Sequence, residues 1–277
     1  MDSRILVTGA TGNVGGALAR TLAERGVPTR AVVRDPAKPL PAGVEPVAGD
    51  LTDATSLRDA LAGVAGLFLM PGYADEIATE AARAGVRRIV LLSGGSVLSS
   101  DPGNAVTDYM VRSEAAVRAS GLDWTFLRPV SFMTNTFEWV PQLVAGDVVR
   151  APFADVPIAT VDPADIAAVA AEALLGDGHG GRAYPLTGPA ALLPAERLSV
   201  LAEVLGRPLS FEAEPNDEAR ARMLTAMPQP YVDAFFSFFV DGTIDETTVQ
   251  PTVAEITGRP PRSFRQWAEA NVAAFAP

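Results

Sequence analysis

The stretch Ile5-Leu6-Val7-Thr8-Gly9-Ala10-Thr11-Gly12-Asn13-Val14-Gly15-Gly16 decides the fold. Residues 5–7 have the length and composition of a buried strand, and the chain passes at once into glycines at Gly9, Gly12 and Gly15 and then into an amphipathic pattern over residues 14–25. Glycines at this spacing allow a tight strand-to-helix turn, let the backbone approach a pyrophosphate, and let the helix pack closely on the sheet. The N–H groups of the helix start then face the anion. A glycine triplet alone fits an ordinary turn as well; the strand-turn-helix setting is what points to a dinucleotide. Gly9, Thr11, Gly12, Asn13, Val14 and Gly15 are therefore the expected cofactor-binding residues of the turn.

Outward from this unit, β-type apolar runs recur at residues 31–33, 44–47, 67–70, 89–92 and 124–127, with helical patterns between them at 56–61, 75–84 and 108–120. Strands that are nearly continuous in apolar residues are buried on both faces, and their alternation with helices predicts a doubly wound parallel α/β sheet of Rossmann type. The second strand ends on Arg34, where a base rather than an acid meets the adenosine ribose. This favours NADP(H), with its 2′-phosphate, over NAD(H). Asp35 lies one position further, where the chain turns into Pro36. At the end of the third strand, Asp50-Leu51 offers a carboxylate to the adenine amino group, with helix capping by Thr52 or Asp53 as the competing use of this segment.

Past about Arg128 the pattern changes: aromatics become frequent and helical patterns appear at 163–175, 194–205, 217–227, 231–240 and 264–275. Several start at proline or after serine, as helices often do. The expected organisation is an NAD(P)-binding domain over residues 1–154, with 156–187 contributing to it, and a smaller, mainly helical substrate-side lobe over 188–277. A chain of 277 residues suits one large domain with a small lobe.

Composition removes whole classes of function. A net charge of −11 opposes binding to nucleic acid or to an anionic membrane surface. With no cysteine, thiolate nucleophiles, disulfides and cysteine-held metal clusters are excluded. No basic, cleavable leader and no apolar run of spanning length is visible, so the expected location is cytoplasmic.

The segments Thr8–Gly15, Val32-Val33-Arg34-Asp35-Pro36, Gly49-Asp50-Leu51, Ser120-Gly121-Leu122-Asp123-Trp124-Thr125-Phe126-Leu127-Arg128-Pro129 and Ile256-Thr257-Gly258-Arg259-Pro260-Pro261 together resemble the NmrA-like branch of atypical short-chain dehydrogenases/reductases. That branch contains NADPH-dependent quinone and isoflavone reductases, and also redox-sensing regulators that bind the dinucleotide without reducing anything. The resemblance implies cofactor contacts at Met70, Pro71 and Ser93, and a substrate pocket bordered by Ser96, Tyr109, Phe132, Phe137, Trp139 and Phe235.

Short-chain dehydrogenases usually draw their proton from a tyrosine activated by a lysine four residues later. The resemblance places that pair at Val106 and Met110, and the only lysine of the chain is Lys38, so no Tyr-x-x-x-Lys pair exists. The lone histidine, His179, falls in the glycine-rich loop Gly176-Asp177-Gly178-His179-Gly180-Gly181 and is expected to be solvated. The remaining catalytic candidates are Tyr109 and Ser93, with Arg112 as the cation expected to activate the phenol and Glu114 as the partner of a nearby donor. No metal site is expected. The resulting expectation is an NADPH-dependent reductase of a small quinone-like or conjugated compound, acting as a homodimer or with a regulatory protein partner. The alternative is a non-catalytic NADP(H)-sensing regulator.

Overall fold

The computed structural model describes residues 4–35 and 38–275. Residues 1–3, 36–37 and 276–277, which include the chain start and Pro36 of the motif after Arg34, lie outside the described residues.

Seven parallel strands build the central sheet: β1 (Arg4–Val7), β2 (Thr29–Val33), β3 (Val44–Ala48), β4 (Val64–Leu69), β5 (Arg88–Leu92), β6 (Asp123–Pro129) and β8 (Arg182–Leu186). Their order is β3-β2-β1-β4-β5-β6-β8. The winding reverses between β1 and β4, and open α/β sheets bind ligands beyond the carboxyl ends of the strands at such a switch point.

The apolar runs are continuous because each strand feeds two cores. Ile5, Val7, Phe68, Val90 and Leu127 pack against α1 (Asn13–Glu24) and α6 (Pro163–Leu175). Leu6, Leu67, Ile89, Leu91 and Phe126 point to the opposite face, onto α2 (Arg58–Leu61), α3 (Glu76–Arg83) and α4 (Ala105–Ala119). Helix α4 begins a turn earlier than its apolar pattern because Asn104 caps it, its Oδ1 accepting from the N–H groups of Val106 and Thr107.

The second lobe joins β7 (Val148–Ala151) to β9 (Ser210–Ala213) in a small parallel sheet, with α5 (Val140–Ala145), α7 (Pro194–Leu205), α8 (Asn216–Ala226), α9 (Gln229–Phe239) and α11 (Phe264–Ala270) around it. Helix α10 (Thr252–Thr257) returns to pack on α6. The chain after it is clamped to the start of α6. Arg259 and the Arg262 N–H both donate to the fully buried Asp165 at 2.7 Å, and Arg262 pairs with Asp162 at 3.0 Å. Asp162 also caps α6 through Ala164 N–H at 2.8 Å, so this acidic pair holds the fold together. Among the described residues no helix is long and apolar enough to cross a membrane.

Candidate dinucleotide and substrate site

The turn between β1 and α1 is built for an anion. Gly9 has φ +66°, which favours glycine, and its carbonyl accepts the Gly12 N–H at 2.9 Å. A Cβ on Gly15 would come within 2.3 Å of the same carbonyl oxygen, so only glycine lets the helix start this close to the strand. Gly12 occupies the N-cap with no side chain to cap the helix and no acid in the first turn. The first N–H groups therefore face an exposed surface at Thr11, Gly12 and Asn13, while Val14 is buried in the core. These residues fit a pyrophosphate.

Beside this turn lies a cleft of about 220 Å³ that brings together Gly9, Thr11, Arg34, Asp50 and Leu51. Asp50 Oδ1 accepts from Thr52 N–H at 2.9 Å and Thr52 Oγ1 at 2.8 Å, and these bonds, aided by the charge of Arg34, hold its carboxyl below the usual carboxylate range. Helix capping falls to Asp53, which accepts from Thr55, so Asp50 is not the cap. Lys38, which the sequence reading left in a loop, lines the same cleft. It is four residues past Arg34, and its being the only lysine was the available signal. If Arg34 receives the 2′-phosphate, Arg34→Ala should weaken NADPH binding by about ten- to a hundredfold and leave NADH nearly unchanged. Calorimetric titration of both cofactors checks this; equal losses would remove Arg34 from that role.

Further along the same carboxyl edge of the sheet, Met70 N–H donates to Thr8 Oγ1 at 2.9 Å, and its side chain covers the space above Gly9. After the adjoining Pro71, Gly72 N–H donates to Ser113 Oγ at 3.1 Å, tying this loop to α4. The thioether of Met110 lies against Gly94, where a Cβ would be 3.3 Å from its terminal methyl. The position that the resemblance assigns to lysine thus faces the turn after β5, but carries no charge. Ser96 is buried in the short 3₁₀ turn Gly95–Leu98, whose backbone is held by Thr107 Oγ1.

Two expectations about proton donors need correction. Ser93 is buried and donates its hydroxyl proton to Glu114 Oε1 at 2.8 Å, so that proton is not directed at a substrate. Glu114 also accepts from Arg118 at 2.9 Å and twice from Arg128, at 2.9 and 2.7 Å, which makes it the hub that locks α4 to β6. Arg112 pairs with Asp108 at 3.1 Å. It therefore does not serve Tyr109, whose pKa is pushed up by burial and then by the neighbouring Tyr231. Tyr109 packs beside Gly72 as a neutral donor.

The aromatic candidates separate. Phe132 is half-buried beside the sheet core, immediately before the segment in which Thr134 accepts from Asn13 Nδ2 at 3.2 Å. Phe137 and Trp139 belong to the core of the second lobe: Phe137 lies 5.3 Å from both Trp267 and Phe275, and Trp139 is covered by Arg197. Their rings are consumed by packing across the lobe. On α9 the buried side chains are Val232, Ala234, Phe236 and Phe238, whereas Tyr231 is exposed and Phe235 half-buried. The stripe read from the sequence is thus partly open, with Tyr231 among its exposed residues. His179 is half-buried and bonded to Tyr184 at 2.9 Å, with its carbonyl accepting from Thr125 near the start of β6, at the end of the sheet opposite the site.

The NmrA-like family model matches residues 1–258. A (4-alkanoyl-5-oxo-2,5-dihydrofuran-3-yl)methyl phosphate reductase of Streptomyces griseus is 45% identical over 281 residues, covering 99% of this chain and 99% of that protein. An NAD(P)H azoreductase of Xenophilus azovorans is 34% identical over 283 residues, covering 98% and 99% respectively. The NADPH-dependent quinone oxidoreductase of Escherichia coli, solved with NADPH, matches with a TM-score of 0.80 at 24% identity, over 97% of this chain and 99% of that one, a likeness of fold.

Proposed function

Because the chain belongs to the NmrA-like family, we propose that it is an NADPH-dependent reductase of a small conjugated carbonyl compound, quinone-like or of the unsaturated-lactone type. At the coarser level it is an NAD(P)H-dependent oxidoreductase, in line with full-length relatives of that kind. The substrate from which the Streptomyces griseus relative takes its name contains a ring double bond with two carbonyls attached to one of its carbons. We also propose that the face formed by Tyr109, Ser96, Phe132 and Phe235 borders the substrate, and that the second lobe, in which residues 133–151 pack with helices of the 188–277 segment, is the substrate-side lobe.

The observation that carries this reading is Met110 against Gly94, where an ammonium would otherwise stand. Bound NADPH supplies a hydride. On an ordinary ketone the hydride creates an alkoxide that needs a strong local donor, whereas a conjugated acceptor spreads the charge over its π-system. A site with neutral donors suits the second case. NADPH oxidation should therefore be measurable with quinones and with unsaturated lactones, phosphorylated or not, and weak with simple aliphatic ketones. Tyr109→Phe should lower the rate by less than about tenfold, as befits one neutral hydrogen bond. Steady-state kinetics over such a panel checks both expectations, and rapid ketone reduction would refute them. The absent tyrosine–lysine pair also suits a dinucleotide sensor; that reading requires NADPH binding without oxidation by any member of the panel.

A further inference from the structure

A reductase of a conjugated carbonyl still needs a proton, and the obvious donors are engaged. Ser93 spends its hydrogen bond on Glu114, Glu114 is held by two arginines, and the Tyr109 phenol has no cationic neighbour among the described residues. Another carboxyl reaches the same edge of the sheet. Beyond β6 the chain crosses the carboxyl ends of the strands through Val130, Ser131 and Phe132 to Thr134, which touches Asn13 at the pyrophosphate turn. A dinucleotide running from Arg34 past Gly12 would place its far end beside this crossing. There Ser131 Oγ donates to Glu246 Oε2 at 2.6 Å, and a protonated Glu246 can donate back along the same line, an exchange closed to Ser93 because Glu114 is held by two arginines. Glu246 is carried by the connector between α9 and α10, and its carbonyl is fixed by Ala159 N–H at 2.8 Å.

We propose that Ser131 and Glu246 form the proton relay of the site, with Ser131 delivering the proton to the reduced substrate and Glu246 replenishing it. This rests on the reductase reading above. Hydride from NADPH forms a C–H bond at the β-carbon while the C=C electron pair moves into the carbonyl as an enolate. The α-carbon then takes a proton from Ser131 Oγ, Ser131 takes one from Glu246, and Glu246 is reprotonated by water. The sum is substrate, NADPH and a proton giving dihydro product and NADP⁺.

The surroundings of Glu246 favour the protonated carboxyl. No cation contacts it among the described residues, and burial pushes its pKa up, outweighing the hydrogen bonds from Ser131 that pull the other way, with the charge of Asp245 adding to burial. Asp245 stays ionised because the hydroxyls of Thr248 and Thr247 and their backbone hold it down to about 2. The other charges nearby are already matched: Arg128 is bound to Glu114, and Asp162, next to Val161, is bound to Arg262. Since Glu246 must be protonated to act, the rate should be highest below its raised pKa and fall as pH rises through it.

The test is single-turnover reduction of an α,β-unsaturated lactone and of a quinone across pH, using wild type, Glu246→Gln and Ser131→Ala, each first titrated with NADPH. Unchanged NADPH affinity establishes that a variant is folded, and the second variant serves if the first does not fold. Lactone reduction should fall about a hundredfold in either variant, at the lower end of general acid catalysis, and the alkaline fall in rate should vanish from Glu246→Gln. Quinone reduction should fall less than about tenfold, because the hydroquinone anion takes its proton in water. Equal losses for both acceptors, or an unaltered pH profile in Glu246→Gln, would overturn the relay. A wild-type protein that reduces neither acceptor would overturn the reductase reading, and the relay with it.

Discussion

Gly12→Val should abolish dinucleotide binding in a protein that still folds. The two consequences come apart because of where the Cβ points. At Gly12 a Cβ meets only the Gly9 carbonyl, at 3.3 Å, and the backbone has φ −100°, which valine accepts. The branched methyls would therefore extend into the open space in front of the first N–H groups of α1, the space a pyrophosphate must enter. At Gly15, by contrast, the Cβ would strike the turn itself at 2.3 Å, so a substitution there damages folding and binding together. Calorimetry with NADPH and circular dichroism on Gly12→Val check the claim. A folded variant with unchanged affinity would mean that the cofactor does not cross this turn.

The second large effect belongs to Glu114. Its side chain is 3% exposed and that of Arg128, its partner on β6, is 16% exposed, so Glu114→Gln strands a guanidinium with little access to water. Arg118, at 46%, can turn into solvent and contributes less to the loss. Breaking one side of a buried ion pair costs about 3–5 kcal/mol, and the partial exposure of Arg118 argues for the lower end. Urea unfolding should show a midpoint lowered accordingly at an unchanged slope. A loss below about 1 kcal/mol would mean that the cluster does not hold α4 against β6.

Five of the first six strands and the glycine turn were legible because their determinants are local: a strand buried on both faces is apolar at nearly every position, and the turn needs glycine at fixed offsets, while the edge strand β3, with Pro46, showed only through Val44 and Val47. The missing catalytic pair was legible from composition, since a chain whose only lysine is Lys38 cannot supply it. Strand β8 was not, because it is an edge strand whose sequence, Arg182-Ala183-Tyr184-Pro185-Leu186, is mostly half-exposed and carries a proline that only an edge tolerates. Strands β7 and β9 are four residues each, partly exposed, and pair only with each other across some sixty residues of chain, with no motif beside them of the kind that marks β1. Phe137 and Trp139 looked like pocket residues because nothing nearby in sequence says what covers them; for Phe137 the answer is Trp267 and Phe275, far along the chain. On α9 the predicted face gave way because the helix packs on both α8 and α4, burying Phe236 on one side and Ala234 beside Asn104 on the other. The contact between Ser131 and Glu246, 115 residues apart, leaves no periodic trace at all.

The central claim is that this chain moves a hydride from NADPH to a conjugated carbon. The most direct measurement is product analysis after incubation with an unsaturated lactone and NADPH stereospecifically deuterated at the transferable position. The expected result is a saturated product with one deuterium, placed at the β-carbon, and NADP⁺ formed in equal amount. Tight NADPH binding with no deuterium reaching the lactone or a quinone would contradict it, and would leave a protein that reads the dinucleotide without spending it.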